Sequence, residues 1–212
     1  MAPDVAIEVV PNGVDIGRFR PHRVDAPSPD RANLLYVGRL RDFKRVQDII
    51  ESMPRIQTEL ARPVRLVVAG SGPYREALER LVSILQVDVR FAGWLDKEAL
   101  GALYEEADLL LLPSLVEGHP NVLLEAMAMA RPCVATDVPG TREALRDGRE
   151  GFLVPPCRPD EIARAAIRIL SSAETWREFS RNARARAEAS SWERVADRYE
   201  ALLKQVAEGK AS

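Results

Sequence analysis

The sequence predicts an α/β domain in which helices cover both faces of a doubly wound, parallel sheet. This is a three-layer, Rossmann-like arrangement, with extra helices towards the C-terminus. Three observations predict it. Short apolar segments alternate with segments of helical periodicity. Several apolar segments lack the polar alternation of half-exposed strands, as expected where both faces are buried. The last third of the chain shows only helical periodicity.

The first half of the chain holds three of the six main strands. A short strand at 7–10 and a turn at 11–13 come first, and a Pro- and Asp-rich loop follows at 22–30, where His22 is expected to be exposed. Three strand–helix pairs then follow: a strand at 33–38 with a helix to about residue 58, a strand at 64–70 with a helix at 74–85, and a strand at 88–93 with a helix at 97–107.

The second half supplies the other three strands, at 109–112, 132–136 and 151–154. Pro120 is expected at the first position of a helix over 121–130, where its missing N–H costs nothing. Thr141 is expected to cap a short helix at 141–145. From Pro159 onwards, three apolar stripes predict helices, and the last stripe includes Trp192 and Tyr199.

The composition excludes several classes of protein. The 212 residues are 46% hydrophobic and 29% charged with a net charge of −2, which is ordinary for a globular protein and gives no case for nucleic-acid binding. Cys133 and Cys157 form no disulfide framework, and two histidines with no Cys-x-x-Cys predict no metal site. Without a signal peptide or a membrane span, we expect a cytoplasmic protein. Arginines at 177, 181, 184 and 186 leave a peripheral position at the inner membrane open, although a solvated face is the usual meaning.

The segment 108–136 carries the most informative pattern, a strand, a turn, a helix and a second strand. Glu117 precedes the helix, and Glu125 lies inside it, one turn after Asn121. The free N–H groups and dipole of a helix start suit a phosphate, and a carboxylate one turn later can accept hydrogen bonds from sugar hydroxyls. These residues therefore predict a site for a sugar–phosphate compound. A solvated loop charge and a helix-surface charge explain the same spacing equally well.

Other candidate site residues also follow predicted strands. Arg39 and Lys44 follow the strand at 33–38 and form a second plausible anion site. Cations at a helix start oppose the helix dipole, and this unfavourable placement favours a functional role for them. Gly70 and Gly72 form a weak phosphate-loop pattern that a tight turn explains equally well. Trp94 after Gly93 either lines a pocket or covers the core. Because parallel strands bind ligands at their carboxyl ends, these residues predict a site on one rim of the sheet.

The motifs resemble those of the donor-binding half of retaining group 1 (family 4) glycosyltransferases, which have the two-lobed B-type fold. The resemblance covers nearly the whole chain. Its most specific part runs from Glu117-Gly-His-Pro-Asn to Glu125-Ala-Met-Ala. The other matching segments are Pro11-Asn-Gly-Val-Asp15, Phe19-Arg-Pro21, Tyr36-Val-Gly-Arg-Leu40 with Lys44, Val68-Ala-Gly-Ser-Gly-Pro73, Phe91-Ala-Gly93, Ala107-Asp108, Pro113-Ser114, Pro139-Gly-Thr-Arg-Glu143, Asp147-Gly-Arg-Glu-Gly-Phe-Leu-Val154 and Ser191-Trp-Glu193.

The resemblance implies a role for each matching residue. Arg39 and Lys44 contact the donor diphosphate and, with Glu117 facing the transferred sugar, form the catalytic set. Glu125 binds the nucleotide ribose. The remaining donor-binding positions are Gly38, Gly70, Gly72, Gly93, Trp94, Leu95, Gly118, His119, Pro120, Asn121 and Val122. The substrate would be a UDP-, GDP- or ADP-hexose, with no metal or other cofactor.

The resemblance also implies how the chain is organised. Residues 1–30 would be a junction with an absent N-terminal acceptor lobe, 31–190 the donor domain, and 191–212 a helix crossing back to that lobe. We therefore expect an incomplete enzyme that transfers little sugar alone. A non-catalytic sugar-nucleotide-binding module or partner subunit, and a related epimerase or hydrolase, are the alternatives. Two departures stand out: Arg45 replaces the glycine common after the phosphate lysine, and Met129-Ala-Arg-Pro132 lacks a glycine at the helix end.

Overall fold

A single six-stranded sheet with every strand parallel forms the centre of the molecule. The computed structural model describes residues 7–22 and 26–208. The strands are β1 (Ala32–Val37), β2 (Val64–Ala69), β3 (Asp88–Gly93), β4 (Leu109–Leu112), β5 (Cys133–Thr136) and β6 (Gly151–Val154). They lie in the order β3-β2-β1-β4-β5-β6, with every neighbouring pair parallel. The predicted doubly wound sheet is therefore confirmed.

Helices connect the strands and cover both faces. They are α1 (Val46–Leu60), α2 (Arg75–Leu85), α3 (Lys97–Glu106), α4 (Asn121–Ala128), α5 (Pro139–Ala144), α6 (Pro159–Leu170), α7 (Ala173–Ala189) and α8 (Trp192–Ala207), and a 3-10 turn, Asp42–Lys44, precedes α1. The chain winds outwards from β1 to β3 and then from β4 to β6. Right-handed connections that progress in opposite directions place their helices on opposite faces. Accordingly, α1 packs against α2 and α6, whereas α4 packs against α7.

The central strands are buried on both faces, as their uninterrupted apolar sequences predicted. Every residue of β4 and β5 is buried. Burial also raises the pKa of the Cys133 thiol, which is consistent with a structural rather than a reactive cysteine.

Three local predictions were wrong. Residues 7–10 form no strand, and Ile7 is 86% exposed. Pro120 lies one residue before α4 rather than at its first position. The short helix α5 begins at Pro139 and not at Thr141, although Thr141, its third residue, still caps the helix start, because its hydroxyl accepts a hydrogen bond from the Val138 N–H (3.1 Å). Proline is favoured at the first position of a helix, and this fixes the earlier start.

The two departures from the family motif fall at positions with a left-handed backbone. Arg45 has φ 53° and Ala130 has φ 56°, a conformation that costs residues other than glycine about 1–2 kcal/mol. The guanidinium of Arg45 lies 2.7 Å from the fully buried carboxylate of Asp48. Arg45 therefore binds its own helix, and this pairing offsets the loss of glycine there.

The C-terminal helices differ from the prediction in two ways. Arg184 donates to the carbonyls of Phe19 and Ala128, so it joins elements rather than forming part of a solvated face. In α8, Val195 is buried, but Tyr199 and several other residues of the predicted stripe are exposed. None of the helices in the part of the chain that the structure describes is long and apolar enough to cross a membrane.

Candidate functional site

The strand order places a crevice between β1 and β4. These neighbouring strands lead into connections that run away from each other, so no helix connection fills the space beyond their carboxyl ends. The loop after β1 carries Arg39 and Lys44, and the loop after β4 carries Glu117. The Leu115 N–H donates to the Phe43 carbonyl (2.8 Å), which ties the two loops together.

Lys44 and Glu117 meet across this crevice. Lys44 Nζ lies 2.6 Å from Glu117 Oε1, and the two side chains are only 14% and 11% exposed. Such a pair interacts more strongly than an exposed ion pair, because little water screens the charges. The structure therefore brings together two residues that the sequence placed 73 positions apart.

Arg39 lies on the same rim, at the edge of a cleft of about 260 Å³. Its carbonyl accepts a hydrogen bond from the Tyr36 hydroxyl (3.0 Å), while its exposed guanidinium makes no ion pair within the described ranges. Burial, with a contribution from the negative charge of Glu117, raises the pKa of Tyr36, which keeps this phenol protonated. The cleft is lined by Val37, Gly38, Arg39, Ala69, Gly70, Ser71, Trp94, Leu95 and Leu100.

The backbone packs closely at the floor of this cleft. A Cβ on Gly70 would lie 1.9 Å from the Gly38 carbonyl oxygen, and Gly70 also has φ 139°. A Cβ on Gly72 would similarly meet the Leu40 carbonyl oxygen at 2.2 Å. The tight-turn explanation of these glycines thus holds, and Gly70 lines the cleft without a side chain. Trp94, 78% exposed, stands at the edge of that floor.

Glu125 lies one turn into α4 and is partly buried. Its Oε2 accepts a hydrogen bond from the hydroxyl of Tyr104 on α3 (3.0 Å). Burial raises the pKa of Glu125, whereas the Tyr104 hydrogen bond and the charge of Lys97 act in the opposite direction. The environment therefore disfavours a lone carboxylate but supplies two groups that stabilise its charged form.

The start of α4 completes the rim. Asn121 is exposed, and its side-chain oxygen accepts a hydrogen bond from the Asn12 amide (3.2 Å). Val122 is partly buried and Pro120 is buried. Because an α-helix leaves its first N–H groups without helical partners, this end can receive an anion.

The turn before α4 is held from behind by α5. A Cβ on Gly140 would lie 2.1 Å from the Gly118 carbonyl oxygen and 2.3 Å from that of Glu117. His119 is partly buried; its Nδ1 has no hydrogen-bond partner among residues 7–22 and 26–208, and burial lowers its pKa. An imidazole in this position is neutral near pH 7.

Two residues that were not predicted as site residues, Tyr36 of a matching family segment and Tyr104, also lie at this rim. Tyr36 and Tyr104 occupy apolar positions of a strand and a helix, so their patterns predicted only core packing. Each has a hydroxyl that reaches a site residue. A buried phenol needs a hydrogen-bond partner, and that need was the available signal.

Two further findings define what the site contains. The described part of the chain has no group of three or more His, Cys, Asp or Glu side chains that could hold a metal ion. A larger cavity of about 620 Å³ lies between residues 18–22 and α3, and it contains none of the predicted site residues. The predicted site residues therefore cluster at the β1–β4 crevice and the adjoining cleft, not at this larger cavity.

Comparison with known proteins identifies relatives of this arrangement. The family model "Glycosyl transferases group 1" matches residues 31–172. Alpha-D-kanosaminyltransferase of Streptomyces kanamyceticus is 37% identical over 156 residues, which is 73% of this chain and 40% of the relative. The chain spans 40–48% of the length of this and two other curated relatives.

Solved structures show the same fold. Sucrose-phosphate synthase from Thermosynechococcus elongatus superposes with a TM-score of 0.83 at 28% identity, covering 95% of this chain and 53% of that one. Anabaena HepE in complex with UDP superposes with a TM-score of 0.81 at 20% identity, covering 93% of this chain and 57% of that one.

Proposed function

Because the chain belongs to the group 1 glycosyltransferases, we propose that its β1–β4 crevice binds the diphosphate of a nucleoside-diphosphate hexose. In this proposal the whole enzyme transfers the hexose to an acceptor with retention of anomeric configuration and without a metal. The single observation that carries the proposal is the contact between Lys44 and Glu117 at the strand-order reversal.

That contact supports the proposal because it joins the two charges the reaction requires. Cleavage of the anomeric C–O bond leaves negative charge on the departing diphosphate and positive character on the sugar ring. Lys44 supplies a cation to the leaving group, and Glu117 supplies a carboxylate to the ring. On donor binding, the Lys44 ammonium would be shared between the carboxylate and a phosphate oxygen.

The rest of the rim offers contacts for the rest of the donor. Arg39, exposed and without an ion pair in the described structure, can bind phosphate oxygens in a bidentate manner. The N–H groups at the start of α4 add a second source of positive potential. These groups together would supply the charge stabilisation that a metal ion provides in other transferases.

The nucleoside would lie over the cleft floor. Trp94 and Leu95 line the cleft at the end of β3, where an aromatic face can stack on a base. Glu125 would accept hydrogen bonds from the ribose hydroxyls. The acceptor site is proposed to lie on a second lobe of the whole enzyme, so the 212-residue chain would bind donor but transfer little or no sugar.

Isothermal titration of the chain with UDP, GDP and ADP tests the proposal. UDP is the first probe because a protein of the same fold was solved with it. We expect one of the three nucleotides to bind, and Lys44→Ala to weaken its binding. Trp94→Ala should weaken the binding of the nucleotide but not that of inorganic pyrophosphate. Lys204→Ala is the matched control, because Lys204 lies exposed on α8, where it pairs with Glu200. If none of the three binds at millimolar concentration, the proposal is wrong.

A further inference from the structure

We propose that Tyr104 is a positioning residue that fixes the Glu125 carboxylate for the hydroxyls of the donor ribose. This inference rests on the proposed function and extends it to a residue on a different helix. It comes from the contact between the Tyr104 hydroxyl and Glu125 Oε2, which joins α3 to α4.

The packing around Tyr104 fixes the position of its hydroxyl group. Its side chain is fully buried. Its ring packs edge-on against Phe19, with ring centroids 5.9 Å apart and planes at 86°. A buried ring packed in this way keeps its rotamer, so the hydroxyl is a fixed point and the partly exposed Glu125 is the partner that adapts to it.

The hydroxyl has one hydrogen and two acceptors within reach. Glu125 Oε2 lies at 3.0 Å and the Val122 carbonyl at 3.4 Å. The shorter contact involves a charged acceptor, and hydrogen bonds to ionised groups are the stronger ones. Donation to Val122 would instead turn an oxygen lone pair towards the carboxylate. The Tyr104 hydroxyl therefore donates its hydrogen bond to Glu125 Oε2.

This bond leaves the other carboxylate oxygen for a ligand. Oε2 is held on the buried side by Tyr104, so Oε1 can accept from one or both hydroxyls of a vicinal diol. Because burial raises the pKa of Glu125, the phenol and Lys97 also matter for keeping the carboxylate ionised, in which state it is the better acceptor. Without the phenol, the carboxylate would lose both its orientation and part of its charge stabilisation.

The experiment measures how strongly the site prefers a ribose that has its hydroxyls. The probes are UDP, 2′,3′-dideoxy-UDP and inorganic pyrophosphate, titrated into wild type, Tyr104→Phe, Glu125→Gln, the double variant, and Tyr74→Phe as control. Tyr74 is partly buried immediately before α2, and Tyr74→Phe removes the same hydroxyl group. We expect wild type and Tyr74→Phe to bind UDP about tenfold more tightly than dideoxy-UDP, the worth of one to two hydrogen bonds. In Tyr104→Phe this ratio should fall towards one, with dideoxy-UDP and pyrophosphate affinities unchanged.

Each contrary result has a separate meaning. A Tyr104→Phe variant that keeps the tenfold preference overturns the inference. So does one that loses affinity for UDP and dideoxy-UDP equally, since that would be a purely structural effect. Further loss from Tyr104→Phe in the Glu125→Gln background would show that Tyr104 does not act through Glu125. If wild type binds none of the probes, the proposed function itself fails. Thermal melting of each variant shows that the ratios come from folded protein.

Discussion

Gly140→Ala should displace the turn that carries Glu117, because Gly140 of α5 packs against the backbone of that turn. Gly140 is the second residue of α5, in a backbone conformation that alanine also adopts, so the only change is the added methyl group. That methyl would lie 2.1 Å from the Gly118 carbonyl oxygen and 2.3 Å from the Glu117 carbonyl oxygen. Ordinary contact begins near 3.4 Å, so the turn and α5 must separate by more than 1 Å.

The size of the effect follows from that overlap. Overpacking of this kind costs about 1–3 kcal/mol of unfolding free energy, which in a chain of this size lowers Tm by about 2–12 °C. The displaced turn carries Glu117, whose carboxylate lies 2.6 Å from Lys44, and leads into α4. A shift that removes one charged hydrogen bond to phosphate should weaken UDP binding about ten- to a hundredfold.

Differential scanning fluorimetry and isothermal titration with UDP measure the two effects. Gly101→Ala is the control: Gly101 lies within α3, where an added Cβ meets nothing within 4 Å. This substitution should raise stability by about 0.5–1 kcal/mol and leave UDP affinity unchanged. Either of two results would refute this prediction: a Gly140→Ala variant with the same Tm as wild type, or one with a lower Tm but the same affinity for UDP.

Three other substitutions test individual contacts. Lys44→Ala leaves the Glu117 carboxylate nearly buried without its cation, and a double-mutant cycle with Glu117→Gln in urea should give a coupling of about 0.5–3 kcal/mol; a coupling of zero would contradict the ion pair. Ala130→Gly should leave stability within about 1 kcal/mol of wild type, because relief of the left-handed strain is offset by the lost burial of the methyl group and the added freedom of the unfolded chain. Arg45→Gly relieves the same strain but should destabilise by about 2 kcal/mol, because Asp48 keeps a buried, unpaired charge. Equal chemical-denaturation shifts for these two glycine variants would refute the contrast.

The sequence contained enough information to predict the fold, because most strands are short apolar runs between turn residues. The four leucines of β4 are buried on both faces, as their pattern indicated. Residues 7–10 show where such reasoning fails. They have the β-branched residues of a strand, but a strand needs a neighbour to receive its hydrogen bonds, and no strand lies beside them among residues 7–22 and 26–208.

The site was predictable only in part. Helix-start chemistry and strand ends indicated which rim would bind a ligand, but the meeting of Lys44 and Glu117 depends on β1 and β4 being neighbours. That adjacency follows from the direction in which each connection turns, which local residue patterns do not encode. The hydrogen bond from Tyr104 to Glu125 was even harder to predict from the sequence, since it depends on how α3 is placed relative to α4.

The distance along the chain between Lys44 and Glu117 has a consequence for folding. The crevice cannot exist in any fragment that lacks either strand, so a nucleotide that binds there as proposed can stabilise only the state in which β1 and β4 are already paired. By mass action, ligand at a hundred times its Kd adds about 2.7 kcal/mol to the unfolding free energy of that state. A chain still emerging from the ribosome gains none of this protection until the residues after β4 have been synthesised. Under the proposed function, nucleotide would thus favour chains that extend past β4 over shorter ones.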